Sequence, residues 1–337
     1  MSNPKTEEVV CVTGANGFIG SWLVRTLLEK HNPRYTIHAT TFPSSDPTHL
    51  FTVHPEAHSR ITIFPADILD SAAVSRAIHN CSGVFHVASP CTLDDPEDPH
   101  KDLIQPAVQG TLNVLEAAKR AGVRRVVLTS SISALVPNPN WPEGRAVDES
   151  SWTDVEFCES RRKWYPVSKT AAERAAWEFK EKQGGAEVVA IHPATCLGPL
   201  LQPELNASSA VLQRLMTGYR DTQEHYWLGA VHVKDVARAQ VLLFETPTAA
   251  GRYLCTNGIY QFSSFASIVS ELYPDFPVHR TTCRFPEETQ PGLTPCKDAA
   301  KRLIDLGLVF TPIQDAVRDA VESLIAKGFL ELPPTQK

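Results

Sequence analysis

Short apolar runs rich in β-branched residues alternate with amphipathic stretches through the first half of the chain. EEVVCVTG is followed by GSWLVRTLLEKH, YTIHATTF stands next, and SRITIFPAD precedes SAAVSRAIHN. SGVFHVAS leads into IQPAVQGTLNVLEAAKRAG, and VRRVVLTSS is followed by KTAAERAAWEFKEKQG and AEVVAIHPA. Near-continuous apolar runs of this length predict strands covered on both faces, and the three-and-four spacing between them predicts helices packed on a sheet. The alternation predicts an α/β fold: a doubly wound parallel sheet with right-handed crossovers.

The rhythm changes near residue 195. PATCLGPLLQPELNASS clusters Pro and Gly, and AVLQRLMTGY after it reads as a helix. VHVKDVARAQVLLFE predicts an amphipathic helix returning to the sheet, and GRYLCT one more strand. The tail sets a Pro-rich stretch, Phe276 to Pro295, beside helices expected around Ala299–Leu306 and Ile313–Lys327.

Composition narrows the function classes. Charged residues make up 21% and hydrophobic ones 42% of 337 residues, ordinary globular usage, and the net charge of −6 argues against a nucleic-acid partner. The pairs Lys119-Arg120 and Arg124-Arg125 read as solvated helix and loop ends. No run of about 18 apolar residues is present, and MSNPKTEEVVCVTG lacks the apolar core of a signal peptide, so a cytoplasmic chain with no membrane partner is expected. The eight cysteines (Cys11, Cys81, Cys91, Cys158, Cys196, Cys255, Cys283, Cys296) are scattered and read as reduced thiols. His54 and His58 stand four apart with Pro55 between them and no third ligand, so no metal is expected.

The first strand ends in Thr13-Gly14-Ala15-Asn16-Gly17-Phe18-Ile19-Gly20. Glycines at spacing three and three, between a strand and a helix, let the backbone turn tightly and bring helix N–H groups to a pyrophosphate. This predicts a Rossmann-type NAD(P)-binding domain over residues 1–195, completed by about 230–260, with a smaller C-terminal substrate-binding lobe from 196–229 and 261–337. Thr-Gly-x-x-Gly-x-x-Gly resembles the extended short-chain dehydrogenase/reductases. That resemblance implies that Asp67 and Ile68 seat the adenine and that Val87, Ala88 and Ser89 run past the pyrophosphate and the nicotinamide ribose. For Asp67 a helix N-cap is the competing reading. Pro193, Ala194, Thr195, Cys196 and Ser208 are also assigned to the cofactor by the resemblance.

An acidic residue ending the second strand would hold a ribose 2′-hydroxyl, and an arginine a 2′-phosphate. Here HATTFPSSDPTHL has neither; the related proteins carry an arginine near Phe42, and Asp46 comes several residues later. Thr41, Ser44 and Ser45 offer neutral donors and nothing repels a phosphate, so NADP is expected over NAD, chiefly by resemblance.

The chemistry centres on WYPVSK. Tyr165 and Lys169 stand one helical turn apart, so phenol and ammonium can share a face. A free phenol titrates near 10, and a neighbouring cation favours the phenolate and lowers that value. Pro166 is tolerated in a first turn, so the helix is expected to start at or just before it, with the tyrosine's own backbone biased away from α. Of Ser130 and Ser131 at the end of the fifth strand, the resemblance favours Ser131, 34 positions before Tyr165. It implies that Tyr165 protonates a carbonyl oxygen as hydride arrives, that Lys169 lowers the tyrosine's pKa and holds the ribose, and that Ser131 hydrogen-bonds the carbonyl. Asn113 is read either as the holder of a proton-relay water or as structural.

DESSWTDVEFCESRRKWYPVSKT, LGPLLQPELNASS, VHVKDVARAQVLLFETPTAAGRYLC and DLGLVFTP resemble plant cinnamoyl-CoA reductases, dihydroflavonol reductases and their aldehyde-reducing relatives. Aromatic substrates follow from that resemblance, with Tyr226 and Trp227 suited to a ring or to the core. The His, Lys and Arg set that the cinnamoyl-CoA reductases use at the thioester falls here on Val211, Arg214 and Arg252. WYPVSK resembles phenylacetaldehyde and cinnamaldehyde reductases instead. The expected activity is NADPH-dependent reduction of an aromatic aldehyde, with a CoA thioester as the alternative substrate and a nucleotide-sugar epimerase or dehydratase, or a cofactor-sensing regulator, as alternatives of other classes. A monomer or weak homodimer is expected.

Overall fold

The first strand, β1 (Glu7–Thr13), is already buried on both sides, with Val10, Cys11 and Val12 inaccessible to solvent. The structure, a computed structural model, describes residues 7–90, 96–219, 227–279, 294, 296 and 298–333. After β1 come α1 (Phe18–Leu28), β2 (Arg34–Thr41), a short α2 (Ala57–Arg60), β3 (Ile61–Pro65), α3 (Ser71–Ile78), β4 (Gly83–His86), α4 (Gln105–Arg120) and β5 (Arg125–Thr129). The chain continues through α5 (Val155–Ser160), α6 (Trp164–Gln183), β6 (Glu187–Pro193), β7 (Thr195–Leu197), α7 (Ala207–Met216), β8 (Trp227–His232) and α8 (Val233–Glu245). It closes with β9 (Gly251–Cys255), β10 (Gly258–Gln261), α9 (Phe262–Leu272), α10 (Lys301–Asp305) and α11 (Ile313–Ala326).

Seven strands form one sheet in the order β3-β2-β1-β4-β5-β6-β9, all neighbours parallel. Side chains alternate across a strand, and the two faces bury different clusters. Val10, Val12, Val127, Val189 and Ile191 share one with Leu23, Leu27 and Val236 of α1 and α8. Cys11, Val126, Leu128, Val188 and Ala190 share the other with Val74, Val114 and Ala176 of α3, α4 and α6. This is the expected doubly wound sheet, of the Rossmann type. Strand order reverses between β1 and β4, which opens a crevice at their C-terminal ends.

A second sheet, β10-β8-β7, was not legible in the sequence, because its strands run three to six residues. Its Cys196, Leu228 and Ala230 join the same apolar cluster as α1 and α8, together with Leu212, Phe265 and Val317 of α7, α9 and α11. VHVKDVARAQVLLFE divides accordingly: Val231 and His232 end β8, and the helix starts at Val233. Among the described residues no helix is long and apolar enough to cross a membrane.

Arg125 corrects the expectation of a solvated loop end. It is buried at the start of β5, donating to the carbonyls of Leu243 (2.8 Å), Pro247 (2.9 Å) and Ala249 (3.2 Å), so its charge caps the C-terminal end of α8. Arg124 beside it stays half-exposed and pairs with Glu8 at 2.9 Å.

Candidate active site

A cavity of about 870 Å³ fills the crevice, running from the loop after β1 to the first turn of α6 and the start of α7. Gly14 sits in the left-handed region (φ +62°), and a Cβ there would lie 2.9 Å from the Ala88 backbone. At Gly20 a Cβ would come within 2.1 Å of the Gly14 carbonyl, so only glycine lets α1 start this close to β1. Gly14, Asn16, Gly17, Phe18, Ile19 and Gly20 all line the cavity, and the N–H groups of the first turn of α1 have no acceptor within the helix. The backbone here leaves the cradle that a pyrophosphate requires.

Thr13, expected at the cofactor, lies behind this loop instead. Its hydroxyl oxygen accepts from the N–H groups of Val87 and Ala88, both at 3.0 Å, and its proton faces His86 Nδ1 at 2.8 Å. The other ring nitrogen of His86 lies 3.4 Å from the Thr111 hydroxyl, which donates to Ala107 O. That chain of bonds uses a neutral imidazole. Burial, with the Lys169 charge second, pushes His86 down to about 3. Thr13 therefore holds Val87, Ala88 and Ser89 against the cavity without reaching into it.

At the opposite wall Thr41, Phe42, Asp67, Ile68 and Leu69 line the cavity. Asp67 accepts from the Leu69 N–H at 2.9 Å, and the N-cap of α3 is Asp70, so Asp67 is free of capping duty. Asn113 lies at this end: its amide donates to the carbonyls of Ile68 (2.9 Å) and Leu69 (3.3 Å) and steadies the Asp67 loop, which replaces the proton-relay reading with the structural one. Ser44 is exposed and stands off the cavity wall. Its neighbour Ser45 is the one tied in, accepting from Asn16 Nδ2 at 2.9 Å and donating to Phe42 O at 2.7 Å. Composition could not separate adjacent serines in a turn. Thr40 also lines the cavity and accepts from the Gly14 N–H at 3.3 Å, a contact across two strands that no local pattern encodes.

Ser131, Tyr165 and Lys169 meet at the other end of the cavity. Ser131 caps a single turn, its Oγ accepting from the Ser133 N–H at 3.1 Å, which leaves its own proton for a group in the cavity. Ser130 also reaches the wall, but its hydroxyl is committed to Glu173 at 2.6 Å. The helix α6 starts at Trp164, two residues before Pro166, after a break at Arg162 (φ +54°). Pro166 is thus the third helical residue and Tyr165 the second, helical rather than extended. The proline's missing N–H still falls among the groups of a first turn that have no acceptor. Lys169 is buried, its Nζ 3.5 Å from Thr129 O and 5.8 Å from the centre of the Tyr165 ring.

Pro193, Ala194, Thr195, Cys196 and Ser208 complete the wall with Asn206, Ala207 and Val211. The Cys196 thiol is pushed up to about 12 by burial, so it contributes shape and no nucleophile. Tyr226 lies outside the described residues, and Trp227 enters only as the first residue of β8. Arg214 is exposed on α7. Arg252 faces inward, bonded to Glu173 at 2.7 Å and to the carbonyls of Glu149 (2.8 Å) and Ala134 (3.2 Å). Of the thioester set, only Val211 reaches the cavity. His54 Nδ1 accepts from the Glu56 N–H and His58 stacks on Phe51, and among the described residues no three potential ligands converge on a metal site.

Residues 10–256 match the NAD dependent epimerase/dehydratase family. The chain is 44% identical over 332 residues to cinnamoyl-CoA reductase 1 of Petunia hybrida, covering 98% of this chain and 96% of that protein. Among solved structures it is similar to vestitone reductase from alfalfa (TM-score 0.80, 32% identity, 96% of this chain and 100% of that one). It is also similar to the yeast methylglyoxal/isovaleraldehyde reductase complexed with NADPH (TM-score 0.78, 26% identity, 95% and 99%).

Proposed function

The chain belongs to the NAD dependent epimerase/dehydratase family, and from that premise we propose that it is an NADPH-dependent reductase of aromatic, phenylpropanoid-type aldehydes, yielding alcohols. The observation that carries the reading is one cavity with the glycine cradle at one end and Ser131, Tyr165 and Lys169 together at the other. NADPH, when bound, supplies the hydride. Gly14, Asn16 to Gly20, Thr41, Asp67, Ile68, Val87 to Ser89, Pro193 to Cys196 and Ser208 would hold it, all of them on the cavity wall.

Tyr165 delivers the proton to the substrate oxygen. A phenol is a poor proton donor partner at neutral pH when it titrates near 10, and the Lys169 ammonium one turn away favours its anion. Ser131 donates to the carbonyl oxygen and polarises it from the cavity wall. Substrate choice rests on Val211, which borders the cavity and can neither donate nor accept a hydrogen bond at a thioester. Reduction of a hydroxycinnamoyl-CoA thioester is the second reading, favoured by the Petunia relative.

The test is NADPH oxidation by purified protein with cinnamaldehyde, phenylacetaldehyde, cinnamoyl-CoA and a UDP-sugar. Turnover of both aldehydes in clear preference to the thioester is expected, and the reverse preference would select the second reading. Tyr165→Phe should abolish turnover while NADPH affinity stays nearly intact; a variant that kept most of its activity would remove Tyr165 from proton transfer.

A further inference from the structure

Tyr165, Lys169, Glu173 and Trp177 recur every four residues along α6 and form one stripe. The first two border the cavity, and the third is a carboxylate with 1% of its surface exposed. Burial of an anion is costly unless its lone pairs are filled. Here Oε1 accepts from Arg252 Nε (2.7 Å) and Trp177 Nε1 (3.1 Å), and Oε2 accepts from Ser130 Oγ (2.6 Å) and His192 Nε2 (2.7 Å). The neighbouring charges and bonds hold the Glu173 carboxyl well below the usual range despite its burial, so it remains a fixed acceptor and exchanges no proton in the reaction.

These partners come from different parts of the fold. Ser130 immediately precedes Ser131, and its N–H is fixed to Ile191 O at 2.8 Å. Arg252 extends the anchorage: its guanidinium also binds Ala134 O, Glu149 O and Ser151 O, the two ends of the segment that follows Ser131, and lies 3.8 Å over the Trp152 ring. The helix carrying Tyr165 and Lys169, the strand end carrying Ser131 and the edge strand β9 are thus joined at one carboxylate.

We infer that Glu173 is a positioning residue that sets the Ser131 hydroxyl against the Tyr165–Lys169 pair, an inference that rests on the roles proposed above for those three residues. Glu173→Gln separates the link from the charge-neutral packing. Arg252 and Trp177 can only donate, so the glutamine oxygen stays with them and its NH2 group turns to Ser130 and His192. The Ser130 hydroxyl then loses its acceptor.

The expected result is a kcat lowered by roughly tenfold or more, the order of loss that small misplacement of a reacting group produces, with KM and NADPH affinity unchanged. In a Ser131→Ala background the same substitution should cost no further kcat while lowering the melting temperature as before, because the catalytic effect passes through Ser131 and the stability effect does not. A full repeat of the kcat loss in that background, or an undiminished kcat in folded Glu173→Gln, overturns the inference. If Glu173→Gln does not fold, Ser130→Ala, which removes only that one bond, is measured with the same readouts and the same two outcomes. Ser131→Ala with wild-type kcat would instead reject the role of Ser131 itself.

Discussion

Phe42→Arg should convert a cation-free corner of the cavity into a phosphate site. Phe42 follows the buried end of β2, is 57% exposed and borders the cavity, so an arginine fits without displacing its neighbours. The turn behind it is rigid: the Ser45 N–H and hydroxyl both bind Phe42 O, and Asn16 ties Ser45 to the glycine loop. Among the described residues lining the cavity, Asp67 and Lys169 are the charged ones, and Lys169 stands at the far end with Tyr165. Asp67 shares the wall with Phe42, so a 2′-phosphate at this corner meets no cation among the described lining residues.

A guanidinium about 4 Å from a phosphate is worth about 1 kcal/mol in water and about 4 kcal/mol at a typical surface dielectric. Half-exposure of the site places the gain near the lower part of that range, about 1–3 kcal/mol, or roughly five- to a hundredfold in Kd. NADH lacks the phosphate and should gain nothing, and both cofactors lose the same apolar contact with Phe42. The measurement is the ratio of NADH to NADPH dissociation constants, by calorimetry, for wild type and variant at low and high salt. The ratio should rise with the substitution and the rise should shrink as salt screens the new charge. An unchanged ratio would place the 2′-phosphate elsewhere and refute the reasoning.

Two further predictions test the cradle and its support. Gly20→Ala puts a methyl 2.1 Å from the Gly14 carbonyl and 2.9 Å from the Ala15 backbone, so α1 must move off β1. It should cost about 1–3 kcal/mol, read as a lower melting temperature without nucleotide, and weaken NADPH binding. A variant matching wild type in both would show that the helix tolerates the shift. His86, held near 3 in the fold against 6.5 when unfolded, binds more protons in the unfolded chain between those values. Its contribution is therefore complete above about pH 6.5 and lost progressively as pH falls toward about 3. Urea unfolding across that window should show a shallower pH dependence in His86→Gln than in wild type, and equal slopes would exclude His86 as a source of acid lability.

What could be read from the chain before its structure was what a single element encodes. The three-and-three glycines and the one-turn spacing of Tyr165 and Lys169 are geometric relations inside a few residues, so periodicity alone brings those groups together. Glu173 was invisible for the opposite reason. In KTAAERAAWEF it looks like a surface glutamate on a helix, and its partners Ser130, His192 and Arg252 lie 43, 19 and 79 positions away. Arg252 shows how this misleads: resemblance aimed it at a thioester, yet a buried carboxylate and three backbone carbonyls hold it inside the fold. Removing it from the substrate wall leaves Val211, an apolar side chain, as the member of that set bordering the cavity. That side chain offers a thioester carrier no hydrogen bond, which is the ground for the aromatic aldehyde proposed above. The choice between aldehyde and thioester proposed above therefore turns on a residue that a sequence comparison can name but only the fold can set on the cavity wall.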